Sequence, residues 1–232
     1  MRYLPLVLSD FDPQAWAGTQ NLELMWSTPL HPAWAGRVRA GTALHAIHFP
    51  EMVWDNTLIE TAAQALSERL EPDFLVFRAQ APNGRQGTAS FLRVLTALLE
   101  ATHPRGVKIA LRAAPGAAGT LAALLKEIRG EAVGFCWDST LGPDLEAVSD
   151  RLFCAVGHEG VDLAPLLRLG YRWNLALEAQ NLPAFHSAKA AFEAAFAPVV
   201  FPAELPTHAL GRPVLPDEAI TFGQGFGGGR GR

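Results

Sequence analysis

From Asp73 onward the chain alternates between short runs of large apolar residues and Leu- or Ala-rich stretches at helical spacing. That rhythm limits what the chain can fold into. "DFLVFRAQ" (73–80) reads as a strand, and "TASFLRVLTALLEATH" (88–103) sets Phe91, Leu92, Leu95, Leu98 and Leu99 on one helical face. The pattern repeats through "GVKIALRA" and "GTLAALLKEIRG", which Gly130 is expected to close, then "AVGFCWD" and "GPDLEAVS". It continues with "RLFCAVG", "VDLAPLLRLG", "WNLALEAQ" and "LPAFHSAKAAFEAAFA". Strands alternating with helices imply βαβ units and a parallel sheet. Several of these strands are apolar throughout, as in a sheet covered on both faces.

Counting back adds "ALHAIHFP" with its helix "NTLIETAAQALSERL", then "LELMWS" and "YLPLVLSD", which makes eight strands. Eight βα repeats point to a closed (β/α)8 TIM barrel. An open doubly wound sheet is the alternative, but no GxGxxG follows the first strand. The first two crossovers are short and carry much Pro and Gly ("TPLHPAWAGRVRAG"), so they are expected to be compressed or irregular. We place one barrel domain at 1–197 and an irregular C-terminal extension at 198–232, with its last, Gly-rich residues disordered.

A net charge of −4 gives no general attraction to nucleic acid, whose binding rests on neutralised phosphates. Two cysteines, Cys136 and Cys154, lie in apolar runs without CxxC spacing and read as buried thiols. The start "MRYLPLVLSDFD" meets Asp10 and Asp12 too early for a secretory signal. No apolar stretch is long enough for a bilayer, so the expectation is a cytoplasmic protein without nucleic-acid or membrane partners.

In a parallel barrel, functional groups sit where the strands end. The polar residues there are Ser9, Asp10, Glu23, Ser27, His45, His48, Arg78, Arg112, Asp138, the segment from Cys154 to His158, and Glu178. Along "VKIALRA", Lys108, Ala110 and Arg112 share one face, and small Ala110 suits a crowded barrel interior, so Arg112 is expected to point inward.

"GVKIALRAAP", "AVGFCWDSTLG" and "GHEGVDLAPLLRLGYRWNLALEAQN" resemble the xylose isomerase-like barrels, which include sugar-phosphate isomerases and epimerases and metal-dependent apurinic-site endonucleases. "LGYRWNLALE" is the most distinctive piece, and "ALHAIHFP" looks like the third strand of that family. The resemblance matches Glu178 and Asp138 to family ligands of a divalent cation, and His45 to a third-strand histidine of the endonuclease branch. It also puts Leu141 at the histidine of a "D-x-x-H" strand end, Arg112 at a ligand glutamate and Arg78 at a fourth-strand histidine. The seventh-strand histidine falls near Cys154 or Ala155, with His158 a few residues late.

A guanidinium accepts no hydrogen bond and stays charged, so at a ligand position it repels a cation. The expectation is therefore a degenerate site with no bound metal and no cofactor, in which Arg78, Arg112, Asp138 and Glu178 form an ionic network. Three readings follow. An isomerase or epimerase would use Glu178 or His45 as base and Arg112 against an enediolate. Arg78, Arg112, Asp138, His48 and Trp26 would then bind a small anionic or sugar-like ligand, with Trp34 and Trp54 as further stacking candidates. Core packing is the other role open to these tryptophans, and ordinary hydrogen bonding the other role open to the histidines. The second reading is a non-catalytic ligand- or partner-binding barrel with a lapsed site. An endonuclease-like hydrolase is the third, and it lacks most of its metal ligands.

Overall fold

The computed structural model describes residues 1–128, 131–138, 145–157, 162–171 and 173–196. Eight parallel strands close into a barrel in sequence order. They are β1 (Arg2–Leu8), β2 (Asn21–Met25), β3 (Ala43–His48), β4 (Phe74–Ala79), β5 (Lys108–Ala113), β6 (Val133–Trp137), β7 (Leu152–Gly157) and β8 (Asn174–Glu178). The helices between and after them are α1 (Ala33–Arg39), α2 (Asn56–Ser67), α3 (Gly84–Thr102), α4 (Ala118–Glu127), α5 (Leu145–Val148), α6 (Ala164–Arg168) and α7 (Leu182–Phe196). The chain divides into two compact units, Met1–Lys189 and Ala190–Arg232. The barrel belongs to the first, and the expected extension at 198–232 lies outside the described residues. Gly130, expected to close α4, also lies outside them, and α4 ends at Glu127. No described helix is long and apolar enough to cross a membrane.

The compressed start takes a definite form. A 3-10 turn, Pro13–Trp16, capped by Asp12, is all that separates β1 from β2, and α1 has only seven residues. Arg37 of α1 holds the two together. Its guanidinium donates to the carbonyls of Pro13, Trp16 and Thr19, and its Nε to Thr42 Oγ1 at 3.2 Å. One side chain thus satisfies carbonyls that a full helix would have paired internally. Later connections use ordinary signals: Asp55 caps α2 by accepting from Thr57 N, and Gly106 and Gly170 take the left-handed backbone that turns the chain toward β5 and β8.

The barrel interior explains the composition of the strands. Leu6, Ala46, Val76, Ala110, Cys136, Cys154, Val156 and Ala176 pack into one cluster, with Met25, Phe74 and Phe153 against it. These are alternate residues of their strands, so the intervening ones face the helices. Ala110 lies in this cluster, which puts Arg112, two residues on, on the inward face as expected. Because the strands tilt, side chains at one height come from alternate strands. Following the pairings around the barrel places Leu6, His48, Arg112 and Val156 at one height. Glu23, Val76, Cys136 and Ala176 lie below them, and Met25, Arg78, Asp138 and Glu178 above, toward the C-terminal mouth.

Two register shifts break the alternation. The pairing of β2 with β3 skips His45, and that of β6 with β7 skips Phe153. Phe153 fills the barrel floor beside Phe74 (ring centroids 5.6 Å apart) and under Lys108, whose Nζ is 5.3 Å from its ring. Gly134 makes room for it, since a Cβ there would lie 2.6 Å from Phe153 Cζ and 2.4 Å from the Arg151 carbonyl oxygen.

Candidate functional site at the barrel mouth

Arg112 extends from the end of β5 to the end of β6, where its Nε donates to Asp138 Oδ2 at 2.5 Å. The Asp138 side chain is 1% exposed and that of Arg112 16%, so the pair is withdrawn from bulk water. Burial pulls the Arg112 pKa down, but the hydrogen bond to Asp138 and the neighbouring Cys136, Asp138 and Glu178 raise it above its ordinary value. The guanidinium is therefore a fixed positive charge at any working pH. It lies against the carboxylate that a divalent cation would need, and among the described residues no three His, Cys, Asp or Glu side chains converge as a metal site. This donor set does not fit a divalent cation, which requires several oxygen or imidazole ligands around it.

Across the interior lies a second buried pair. His48 of β3 and Glu23 of β2 meet through Nε2 and Oε2 at 2.5 Å, with side chains 2% and 1% exposed. Glu23 sits below the height of His48, where small Ala46, Ala110 and Ala176 leave room for a carboxyl group. The other atom of each group, Glu23 Oε1 and His48 Nδ1, is buried without a hydrogen-bond partner among the described residues. Buried polar atoms are seldom left so, because each forgoes the hydrogen bonds it made in water.

The remaining residues divide by position. Arg78, at the end of β4, is half-exposed, with Nη1 3.8 Å from Glu51 Oε2. Trp54 anchors its backbone by donating from Nε1 to the Arg78 carbonyl at 2.9 Å. Glu178 ends β8 exposed at the rim, close enough to Arg112 for its charge to act on the guanidinium. His158 lies outside the described residues.

Two expectations need correction. His45, expected as a base beside Arg112, does not lie at the mouth. The register skips it, and its ring turns to Asp73 (Nδ1 to Oδ2, 2.9 Å) and Asn21 (Nε2 to Oδ1, 3.2 Å), where β4 and β2 begin. This is the pole opposite the mouth, so His45 is separated from Glu178 and Arg112. Trp26 is 4% exposed and packs behind the strands in an aromatic series, 6.0 Å from Phe49, which stacks on Phe77 at 4.7 Å. Of the other stacking candidates, Trp34 is fully buried and Trp54 packs against Phe91.

No protein-family profile and no curated protein matches the sequence. Solved structures do. A D-tagatose 3-epimerase-like protein superposes with a TM-score of 0.66 at 15% identity, over 86% of this chain and 98% of that one. A xylose isomerase domain protein from Planctomyces limnophilus gives 0.64 at 11% identity, over 84% and 95%. A 3-keto-D-glucoside 4-epimerase from E. coli gives 0.61 at 10% identity, over 84% and 99%. The chain has the fold of the xylose isomerase-like barrels. At these identities the likeness extends to the fold and leaves the site to be argued from its own residues.

Glu23 belonged to the polar ring read from the sequence but carried no role there. Its signal is local: in "LELMWS" it is an acidic residue between two leucines on a strand otherwise fit for burial. A carboxylate at such a position needs a partner, and the histidines of the next strand were the candidates.

Proposed function

We propose that this chain is a sugar or sugar-phosphate isomerase- or epimerase-like protein that works without a divalent cation. The observation that carries the reading is the Arg112–Asp138 pair, a permanent positive charge held beside Glu178 at the mouth of a barrel of this fold. Isomerisation and epimerisation next to a carbonyl share one difficulty, the negative charge that develops on oxygen as a proton leaves carbon. A cation fixed in place by a buried carboxylate meets that charge without reorganising. Glu178, exposed at the rim, is the carboxylate placed to take the proton. Arg78, its charge only loosely opposed by Glu51, favours a ligand carrying phosphate or carboxylate. Proteins of the same fold include a D-allulose 3-epimerase from Methylomonas sp..

A second reading has its own support. Asp138 is almost fully enclosed and commits Arg112 to a structural pairing, as in a ligand- or partner-binding barrel whose catalysis has lapsed. One experiment separates the two. Protein treated with EDTA is incubated in D2O with D-allulose, D-fructose and their phosphate esters, and exchange at carbon is followed by proton NMR. The proposal expects exchange that survives chelation. Exchange that vanishes with EDTA and returns with Mn²⁺ contradicts it, and thermal stabilisation by these ligands without exchange favours the binding barrel.

A further inference from the structure

The function proposed above supplies one proton-transferring group, Glu178, but inversion at a carbon beside a carbonyl needs two, one on each face of the planar enediolate. From the Glu23–His48 pair we infer the second: His48 is a catalytic acid–base whose Nδ1 exchanges a proton with the substrate carbon, and Glu23 is the residue that positions it. This inference rests on the epimerase reading and extends it.

The geometry carries the inference in three steps. His48 Nε2 is bound to the Glu23 carboxylate at 2.5 Å, which fixes the ring and keeps a proton on Nε2. In the neutral ring the lone pair then falls on Nδ1, which is buried and has no partner among the described residues. A carboxylate–imidazole pair with one nitrogen held and the other unengaged is the arrangement that lets histidine act as a base while the carboxylate stabilises the imidazolium formed. Finally, the strand register puts His48 at the height of Arg112, on the wall of β3, while Glu178 rises from β8, three strands away around the barrel. A flat intermediate between these walls presents one face to each group, with the charge of Arg112 at the height of His48 to act on its oxygen.

The step balances without an oxidant. In one direction Nδ1 takes the proton from the carbon beside the carbonyl, and the C–H electron pair becomes the new C=C bond. The carbonyl pair moves to oxygen, opposite Arg112. The protonated carboxyl of Glu178 then returns a proton to the other face of the same carbon, and the carbonyl re-forms. In the other direction the two groups exchange roles, and water restores their protons between turnovers. Of the charged groups, Glu23 on β2 is bonded to His48, and the register sets Arg112 on β5 at its height.

The test uses the full chain in D2O with D-fructose and D-allulose, which differ only at carbon 3. The wild type is expected to interconvert them, placing one deuterium in each product. His48→Gln is expected to lose interconversion at least a hundredfold, yet still exchange the carbon-3 proton of one epimer, the one facing Glu178. Glu178→Gln is expected to exchange only the other epimer, an inverted pattern that a merely structural defect does not produce. Glu23→Gln should resemble His48→Gln, and Glu23→Asp should recover part of the interconversion. Interconversion by His48→Gln at the wild-type rate overturns the role of His48 and leaves the epimerase reading standing. A wild type that neither interconverts nor exchanges overturns both. Should the variants fail to fold, imidazole nitrogen NMR of the wild type decides. A proton on Nε2 and a bare Nδ1 whose resonance moves when D-allulose is added are expected, and a proton on Nδ1 overturns the inference.

Discussion

Arg112 Nε stands 2.5 Å from Asp138 Oδ2, so two neighbouring strand ends of the barrel are joined by a nearly enclosed ion pair. Removing one partner leaves the other charged and poorly hydrated, which is a larger loss than the pair itself contributes. Arg112→Met is therefore expected to destabilise the protein by about 3–5 kcal/mol in urea unfolding. Changing both residues, Arg112→Met with Asp138→Leu, should recover much of that loss. A single variant as stable as the wild type would show that water reaches Asp138.

Reversing the charge at position 112 tests what the site can hold. Arg112→Glu brings a third carboxylate to Asp138 and Glu178, and their repulsion should lower Tm. Mn²⁺ should then raise it again, because an ion that binds only the folded state stabilises it. The wild type should show no such response. Equal responses to Mn²⁺ in both proteins would contradict the assignment.

The barrel was legible in the sequence because its strands are covered on both faces, so "FLVF" and "VGFCW" stand out as apolar runs between helices with clear periodicity. The short first crossovers were legible for the opposite reason, their Pro and Gly content. The inward facing of Arg112 followed from two-residue alternation with Ala110. The same rule sets His45 and His48, three residues apart, on opposite faces, and the register shift at His45 leaves its ring with Asp73 and Asn21 at the other pole. The pairing of Glu23 with His48 was hidden for a related reason: it joins residues 25 apart, and only the register of β2 on β3 brings them together.

Gly134 marks the tightest point of the barrel floor. A Cβ there would fall 2.4 Å from the Arg151 carbonyl oxygen, a backbone atom that cannot swing aside. Gly134→Ala should cost about 1–3 kcal/mol or more, in the range of overpacked cores. Adding Phe153→Leu should relieve only the part due to the ring. Full rescue by the second change would show that the backbone contact is soft.

Tyr171 gives a pH prediction. Its hydroxyl donates to the Asn174 carbonyl at 2.5 Å, and burial, followed by the neighbouring Cys154, Glu23 and Cys136, pushes its pKa well above the ordinary 10.0. The folded protein thus favours the protonated phenol. The stability this confers is complete below pH 10.0 and is lost as pH rises through the elevated folded value. Ultraviolet titration should show Tyr171 ionising only together with loss of circular dichroism. Ionisation near pH 10 in an intact fold would contradict its burial.

The central claim is that a protein cation, rather than a bound metal, neutralises Asp138 at the mouth. The most direct measurement is an anomalous-scattering map from crystals soaked in MnCl2. We predict no manganese peak within about 2.2 Å of the Asp138 carboxylate and clear density for the Arg112 guanidinium against it. A manganese ion bridging Asp138 and Glu178, with Arg112 displaced, would contradict the account.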